Sequence, residues 1–559
     1  MNTQPPGFLS TVLRLTFSCV LMFVGLHYLQ NFDPLIKWSS YVLVILMGLA
    51  VIKQTFQLLG LSVHTAIQVD LDTYSKIPSG NFGQARFANT NDAFIKIMAK
   101  GKGLFLGVID GVMLFFDPFA SGNGHMVTYA PARTGKTISV VIPALMYWFG
   151  GSLFVTDVKG ELAAITMKFR QLMGQTVLLF DPFNVLGTGG LRFNPLSILL
   201  IDIRENNGKN LHDLALLIGL LLIPRKEEKN EFFRNGGRRF VIALLLYLAV
   251  FDKKNCHLPG LRDLVWASNE EKIKIAELMQ CTDAYGGLLK NYGNHLYELL
   301  NPSYIKTFGA MRDYAIDSTQ IYDGHTNFGK SLMTSDFDPR DLLNRKTTLY
   351  NIIPEDKLES HGVVIGFIAA LYFELIAMQK DSAPILFLME EMGNLGSIPN
   401  LSKALSLLPS KGLRLWMIFQ SRRQPVEIYG KNIAGLIDEQ SSMHQQWNIR
   451  DLDDQKHWCE RIGQSTQKTY NLNHDPLDPL TPWKPSVGER SSPVMSADET
   501  GRMNNDLQLI WISGNPVIVA KRAAYYEVEP WRSRAQKNPY HPDGYPKDKP
   551  VRYWLDDLL

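Results

Sequence analysis

One short segment constrains this 559-residue chain more than any other. Ala130-Pro-Ala-Arg-Thr-Gly-Lys-Thr137 follows a β-rich apolar run, His125–Tyr129, and precedes a helix-like apolar run, Thr137–Phe149. A strand, a Gly-Lys-Thr loop and a helix in that order make a phosphate site, because the loop N–H groups and the positive end of the helix converge on one point. Lys136 then brings a point charge to the β- and γ-phosphates and the Thr137 hydroxyl can ligate Mg²⁺, while Gly135 keeps a side chain from crowding the phosphate. Arg133 and Thr134 complete the phosphate-facing loop. Ala130 stands where a first glycine is usual, and alanine does not readily take φ > 0.

A buried phosphate-loop strand needs neighbours, and the sequence supplies them. Ser152–Thr156, Thr176–Phe180, Thr347–Ile353, Pro384–Met389, Arg414–Phe419, Leu507–Ile512 and Val517–Ala520 are short apolar runs with little alternation, as expected for strands buried on both faces. Helix-like segments Glu161–Leu172, Gly362–Gln379 and Ile398–Leu408 lie between them. That order implies an α/β fold with a mostly parallel sheet covered by helices. The Pro384–Met389 run ends in Glu390 and Glu391. On a strand lying beside the loop, the first acid can orient Mg²⁺ and the second can polarise an attacking water, so Glu390 is a candidate metal ligand and Glu391 a candidate base. Aspartate is more usual at the first of these positions.

From about Asp202 to Asp323 the chain reads as helical throughout, an all-α insertion into the sheet domain. The first 60 residues differ again. Leu15–Leu29 and Trp38–Ile52 are apolar runs that, with their flanks, suffice to cross a bilayer, and a turn at Asp33-Pro34 separates them. Arg14, Lys53 and Lys76 outside the pair place both ends in the cytoplasm. Leu214–Ile223 and Val241–Phe251 are too short to span and read as buried helices. Net charge is +3, which neither requires nor excludes nucleic acid. Cys19, Cys256, Cys281 and Cys459 have no metal-ligand spacing and read as buried, reduced thiols.

Further motifs add to these. Gly83-Gln-Ala-Arg-Phe87, Asp157-Val-Lys-Gly-Glu161, Asp181-Pro-Phe183, Asn194-Pro-Leu196 and Thr334-Ser-Asp-Phe-Asp338 occur in that order. Glu390-Glu-Met-Gly-Asn-Leu-Gly396, Phe419-Gln-Ser-Arg-Arg-Gln424 and Tyr429-Gly430 follow. In order and spacing the chain resembles the VirD4/TraG family of type IV secretion coupling proteins, from about Asn81 to Tyr526. The resemblance implies a RecA-like P-loop ATPase domain with an inserted all-α domain facing the cytoplasm and an N-terminal two-helix transmembrane hairpin. It implies ATP and Mg²⁺ as cofactors, a homohexamer at the bacterial inner membrane, and delivery of substrates to secretion channel components. Those substrates would be single-stranded DNA with relaxase or relaxosome proteins, or effector proteins. It assigns Gln420 to sensing the γ-phosphate, a role an amide suits because it both donates and accepts. It sets Asp157 and Glu161 at the strand-end crevice where ligands of open α/β sheets gather.

The expected organisation is an anchor at 1–62, a nucleotide-binding domain in two parts at 63–201 and 324–529, the helical insertion at 202–323, and an extended tail at 530–559. Arg414, Arg422 and Arg423 are candidates for an arginine acting on a neighbouring subunit. Arg234-Asn-Gly-Gly-Arg-Arg239 reads either as a pore segment contacting phosphates or as a turn before a helix. The aromatic and leucine-rich tail suits either a docking peptide or packing back on the ATPase domain. Three other function classes compete with a conjugation motor: a receptor for protein effectors, a double-strand DNA translocase, and a scaffold with a decayed nucleotide site. The translocase lacks its expected winged-helix-like module. Ala130 and Glu390 are what keep the scaffold open.

Overall fold

The computed structural model describes residues 78–225, 231–380, 383–473, 484–541 and 553–554, with scattered positions between 16 and 55. Most of the expected membrane hairpin and most of the tail beyond His541 lie outside the described residues. The chain forms two units: the residues through Ala85 with Gly463–Val494, and Arg86–Ile462 with Met495 onward.

The larger unit holds an eleven-stranded sheet. In chain order its strands are β1 Leu104–Ile109, β2 Val112–Phe116, β3 His125–Tyr129, β4 Ser152–Asp157, β5 Thr176–Phe180, β6 Thr347–Ile352, β7 Ile385–Met389, β8 Leu413–Phe419 and β9 Ser441–Gln446. Two strands of the smaller unit, β10 Gln464–Asn473 and β11 Lys484–Pro493, interrupt before β12 Leu507–Ile512 and β13 Ile518–Lys521. The spatial order is β2-β1-β13-β12-β9-β3-β8-β7-β4-β6-β5. From β9 to β5 every pair is parallel. The remaining four strands add antiparallel at the β9 edge. The parallel part agrees with the expectation; the antiparallel flank and the strands β1, β2 and β9 were not foreseen. Ser441–Gln446 reads Ser-Ser-Met-His-Gln-Gln, and the side chains of His444, Gln445 and Gln446 are buried and hydrogen-bonded, so hydropathy could not mark it.

Alternate residues of the central strands feed two cores. Val127, Phe154, Phe387 and Met417 point to one face, packed with helix Leu358–Met378. Met126, Val155, Leu388 and Ile418 point to the other, packed with helices Ile142–Tyr147 and Glu161–Leu172. Burial on both faces is why these strands read as unbroken apolar runs. Helix Leu358–Met378 is long and apolar enough to span a membrane, but it is a core helix of this sheet.

β7 is not the immediate neighbour of β3, as a strand beside the loop would be; β8 lies between them. The expected helix Thr137–Phe149 opens with a π turn at Thr137–Val141 and becomes α at Ile142–Tyr147. Pro143 has no N–H for an α bond to the Ser139 carbonyl, and the wider turn accommodates that loss.

Between β5 and β6 the described elements are all helices, including Leu211–Leu222, Glu231–Phe251 and Ile305–Thr319. The two short apolar runs are buried helices, as expected. Arg234–Arg239 is neither a loop nor a turn before a helix. It lies inside helix Glu231–Phe251, where a Cβ on Gly236 would stand 2.3 Å from Met311 Sδ and one on Gly237 2.5 Å from the Met311 carbonyl. The glycines allow two helices to cross closely, and Arg234 and Arg238 are buried rather than exposed to a pore. Cys281 is exposed, against the expectation of burial, whereas Cys256 is buried.

Two of the recurrent motifs meet where the chain leaves the sheet and returns. The Asn194 N–H donates to Ser335 Oγ at 3.0 Å, and Arg192 pairs with Asp336 at 2.7 Å. In the smaller unit β10 and β11 form a long antiparallel hairpin, and Gly83 approaches β10 so closely that a Cβ would meet the Gln464 carbonyl at 2.2 Å.

Candidate nucleotide-binding site

The ends of β3, β8, β7 and β4 open on one cavity of about 360 Å³. The loop 130–137 forms one wall. Its left-handed residues are Arg133 (φ 60°) and Gly135 (φ 84°). Ala130 has no positive φ, is fully buried, and donates its N–H to the Phe419 carbonyl at 2.9 Å, so an alanine fits there without strain. Lys136 is 6% exposed, and its ammonium donates to the Ala130 carbonyl at 3.2 Å and to Glu391 Oε1 at 2.7 Å. The Thr137 hydroxyl donates to Glu390 Oε1 at 2.7 Å, and Gln420 Nε2 donates to Glu391 Oε2 at 2.7 Å. The five side chains singled out from three separate segments thus gather in one cavity as two hydrogen-bonded sets, one on Glu390 and one on Glu391.

Glu390 is 6% exposed. Burial pushes its carboxyl up to about 8; the Thr137 hydrogen bond opposes this, and the nearby Asp157 and Glu391 carboxylates add to it. A buried acid this costly to ionise suits a position where a cation is to be received. Burial also pushes Asp157 up to about 6, against the amide hydrogen bonds it accepts. Asp157 lines the cavity, but its carboxylate is engaged by the Ala163 N–H at 2.8 Å, where it holds the first turn of helix Glu161–Leu172. Glu391 has φ 53°, a conformation uncommon for a residue with a side chain, which aims its carboxylate back at Lys136.

The motifs around this cluster brace one another. Gln424 accepts the Gln420 N–H at 2.7 Å and packs against Gly393, where a Cβ would stand 2.7 Å from its Cδ. Tyr429 donates to the Gly396 carbonyl at 3.2 Å, and Gly430 (φ 79°) kinks helix Arg423–Gln440, which carries both residues. Arg422 is engaged within the chain by Asp438 at 2.7 Å, and Arg414 by the Pro118 and Pro409 carbonyls. Arg423, two-thirds exposed, pairs with Asp451 at 2.6 Å.

Sequence reasoning missed three contributors. Arg522, just past β13, donates to the Thr134 carbonyl at 2.5 Å. Trp447, just past β9, donates to the same carbonyl at 3.2 Å, and the guanidinium lies 4.9 Å from its ring centroid. His541 reaches the cavity rim from the C-terminal segment. No local motif marks any of them, since each arrives through tertiary structure, Arg522 and Trp447 from strand ends and His541 from the C-terminal segment.

With this geometry in place, comparison with known proteins adds the lineage. The model of the family described as Type IV secretory system Conjugative DNA transfer matches residues 78–547. The chain belongs to this family. Conjugal transfer protein TraG of Agrobacterium fabrum (strain C58 / ATCC 33970) is 25% identical over 444 residues, covering 77% of this chain and 65% of TraG. Type IV secretion system-coupling protein VirD4 of Bartonella quintana (strain Toulouse) is 25% identical over 435 residues, covering 75% of this chain and 66% of VirD4. The chain therefore spans just under two thirds of the length of these curated relatives. Plasmid coupling protein TrwB has been solved with the non-hydrolysable ATP analogue ADPNP and with ADP and Mg²⁺. Each structure matches with a TM-score of 0.55 at 14% identity, over 80% of this chain and 97% of TrwB. At that identity the likeness is one of fold, and the fold of this coupling-family chain is the RecA-like P-loop ATPase fold.

Proposed function

We propose that the chain is a membrane-anchored coupling ATPase of a conjugative type IV secretion system, which receives single-stranded DNA with its relaxase and drives or licenses its passage through the channel. The observation that carries this reading is the convergence of Lys136, Thr137, Glu390, Glu391 and Gln420 on one cavity. The family description favours DNA over protein effectors as substrate.

ATP and Mg²⁺ suit the residues present. Among the described residues no group of three or more His, Cys, Asp or Glu side chains could hold a metal ion alone. Magnesium in such a site rests on one or two protein oxygens and on phosphate, and Thr137 and Glu390 are the oxygens at hand. When bound, Mg²⁺ offsets charge on the phosphates. The chain's own groups do the rest. Lys136 steadies the β- and γ-phosphates as a point charge, and the loop N–H groups orient them. Glu391 accepts the proton of the attacking water, while the Gln420 amide holds that carboxylate in line. Hexamer formation and contacts with channel components belong to the same proposal, as do the domain bounds 1–62, 63–201, 202–323, 324–529 and 530–559.

The test is ATP turnover by the full chain in detergent, with and without single-stranded DNA, beside Lys136→Ala. We expect DNA-stimulated turnover that falls at least a hundredfold in the variant, or roughly 3 kcal/mol. Turnover indifferent to DNA would move the substrate to protein effectors. A wild-type rate no higher than that of the variant would sink the ATPase reading and favour a scaffold.

A further inference from the structure

The described C-terminal stretch, Trp531 to His541, runs from the core to the rim of the cavity. Trp531 is buried at 1% exposure, Arg534 lies over the Phe169 ring at 5.5 Å, and the Gln536 N–H donates to the Ile165 carbonyl at 3.0 Å. Two polar anchors follow. Asn538, itself 4% exposed, donates from its side-chain amide to Glu161 Oε1 at 2.5 Å. The Tyr540 hydroxyl donates to the Lys159 carbonyl at 2.7 Å. Lys159 lies in the turn after β4 and Glu161 opens the helix that follows it, and His541 comes next, lining the same cavity as Lys136, Glu390 and Glu391.

The position of that turn gives His541 a direction. The strand order across the cavity mouth is β3, β8, β7, β4. The Thr137 hydroxyl of the loop reaches Glu390 Oε1 at 2.7 Å, and Thr156 of β4 donates to the Glu390 carbonyl at 2.7 Å, so the β4 end stands beside the acid that the loop reaches. A triphosphate held by Lys136 and laid toward Glu390 and Glu391 at the end of β7 points its terminal phosphate at the next strand end, β4. The group standing there is the strap. An imidazole offers an N–H donor in either tautomer and two when protonated.

We propose that the C-terminal strap is part of the nucleotide site, and that His541 contacts the terminal phosphate of a bound nucleoside triphosphate while Asn538 and Tyr540 hold it in place. This inference rests on the nucleotide reading of the cavity. The strap makes the site distinguish triphosphate from diphosphate with a residue more than 400 positions from the phosphate loop.

The test is equilibrium binding by the full chain in detergent, using a fluorescent non-hydrolysable ATP analogue and fluorescent ADP. The variants are His541→Ala, His541→Asn, Tyr540→Phe and Lys136→Ala. A charge-assisted contact predicts that His541→Ala weakens the triphosphate roughly tenfold and leaves ADP within about twofold. His541→Asn, which keeps a donor, should recover most of the loss, and Tyr540→Phe should lose several-fold on the triphosphate alone. Equal losses on both nucleotides, or none, would overturn the strap's role even with Lys136→Ala abolishing binding. A wild-type chain that binds neither nucleotide would overturn the nucleotide reading itself, and the strap with it.

Discussion

Single residues of the phosphate loop behave differently from what their identities suggest. Ala130 departs from the usual glycine, yet its backbone is unstrained and its N–H is bonded across to β8. Replacing it with glycine adds only unfolded-state freedom. Ala130→Gly should therefore lower stability by roughly 0.5–1 kcal/mol and leave turnover unimproved, as read from urea denaturation and ATPase rates. A faster or more stable variant would show that Ala130 is a handicap after all. The position that does demand a small residue is Gly135, where a Cβ would stand 3.3 Å from Arg522 Nη1 at φ 84°. Arg522 and Trp447 hold the loop from outside through the Thr134 carbonyl. Arg522→Ala should weaken nucleotide binding by roughly tenfold, about 1.4 kcal/mol, with Arg522→Lys between the two. An unchanged Kd in a titration would rule out the brace.

At the scale of elements, β3 is fixed at its far end by a buried histidine. The Leu415 N–H donates to His125 Nδ1 at 2.9 Å, so Nε2 carries the hydrogen and donates to the Leu405 carbonyl at 2.9 Å. The bond accepted at Nδ1 needs the neutral ring. Burial lowers the His125 pKa from 6.5 to about 4, and His444 in β9 is lowered to about 4 in the same way. As pH falls through 6.5 the unfolded chain takes up protons that the folded chain refuses until about 4. Stability from His125 is therefore complete above 6.5 and declines between 6.5 and 4, by roughly 3 kcal/mol at the lower end. His125→Gln should flatten that decline in thermal melts recorded from pH 7 to pH 4.5. A wild-type melting temperature unchanged from pH 7 to pH 5 would refute the assignment. The helical segment between β5 and β6 depends on a different device, the close crossing at Gly236 and Gly237, which the sequence disguises as a basic glycine-rich loop.

For the whole molecule, Phe17, Val20, Ile45, Leu46, Leu49 and Ile52 are helical and each more than half exposed, which in an apolar helix suits lipid rather than water. A chain beginning at residue 63 should leave the membrane pellet after a carbonate wash, while the full chain stays. Retention of the shortened chain would refute the anchor. The sequence by itself determined the parallel core and most of the candidate cluster. Strands buried on both faces announce themselves as apolar runs, and phosphate chemistry needs particular residue types at strand ends, so Lys136, Thr137, Glu390 and Glu391 could be named from local pattern, and Gln420 from the family resemblance. The rest was decided by tertiary structure alone. The polar strand β9 is stable only because its side chains find partners inside the sheet. Arg522 joins the site through the antiparallel flank, Trp447 from the end of β9 and His541 through the C-terminal strap. Whether an arginine is spent on Asp438, as Arg422 is, depends on how the helix kinked at Gly430 brings the two together. Local sequence records what a segment can do, and only the sheet order records what lies within hydrogen-bond distance of it.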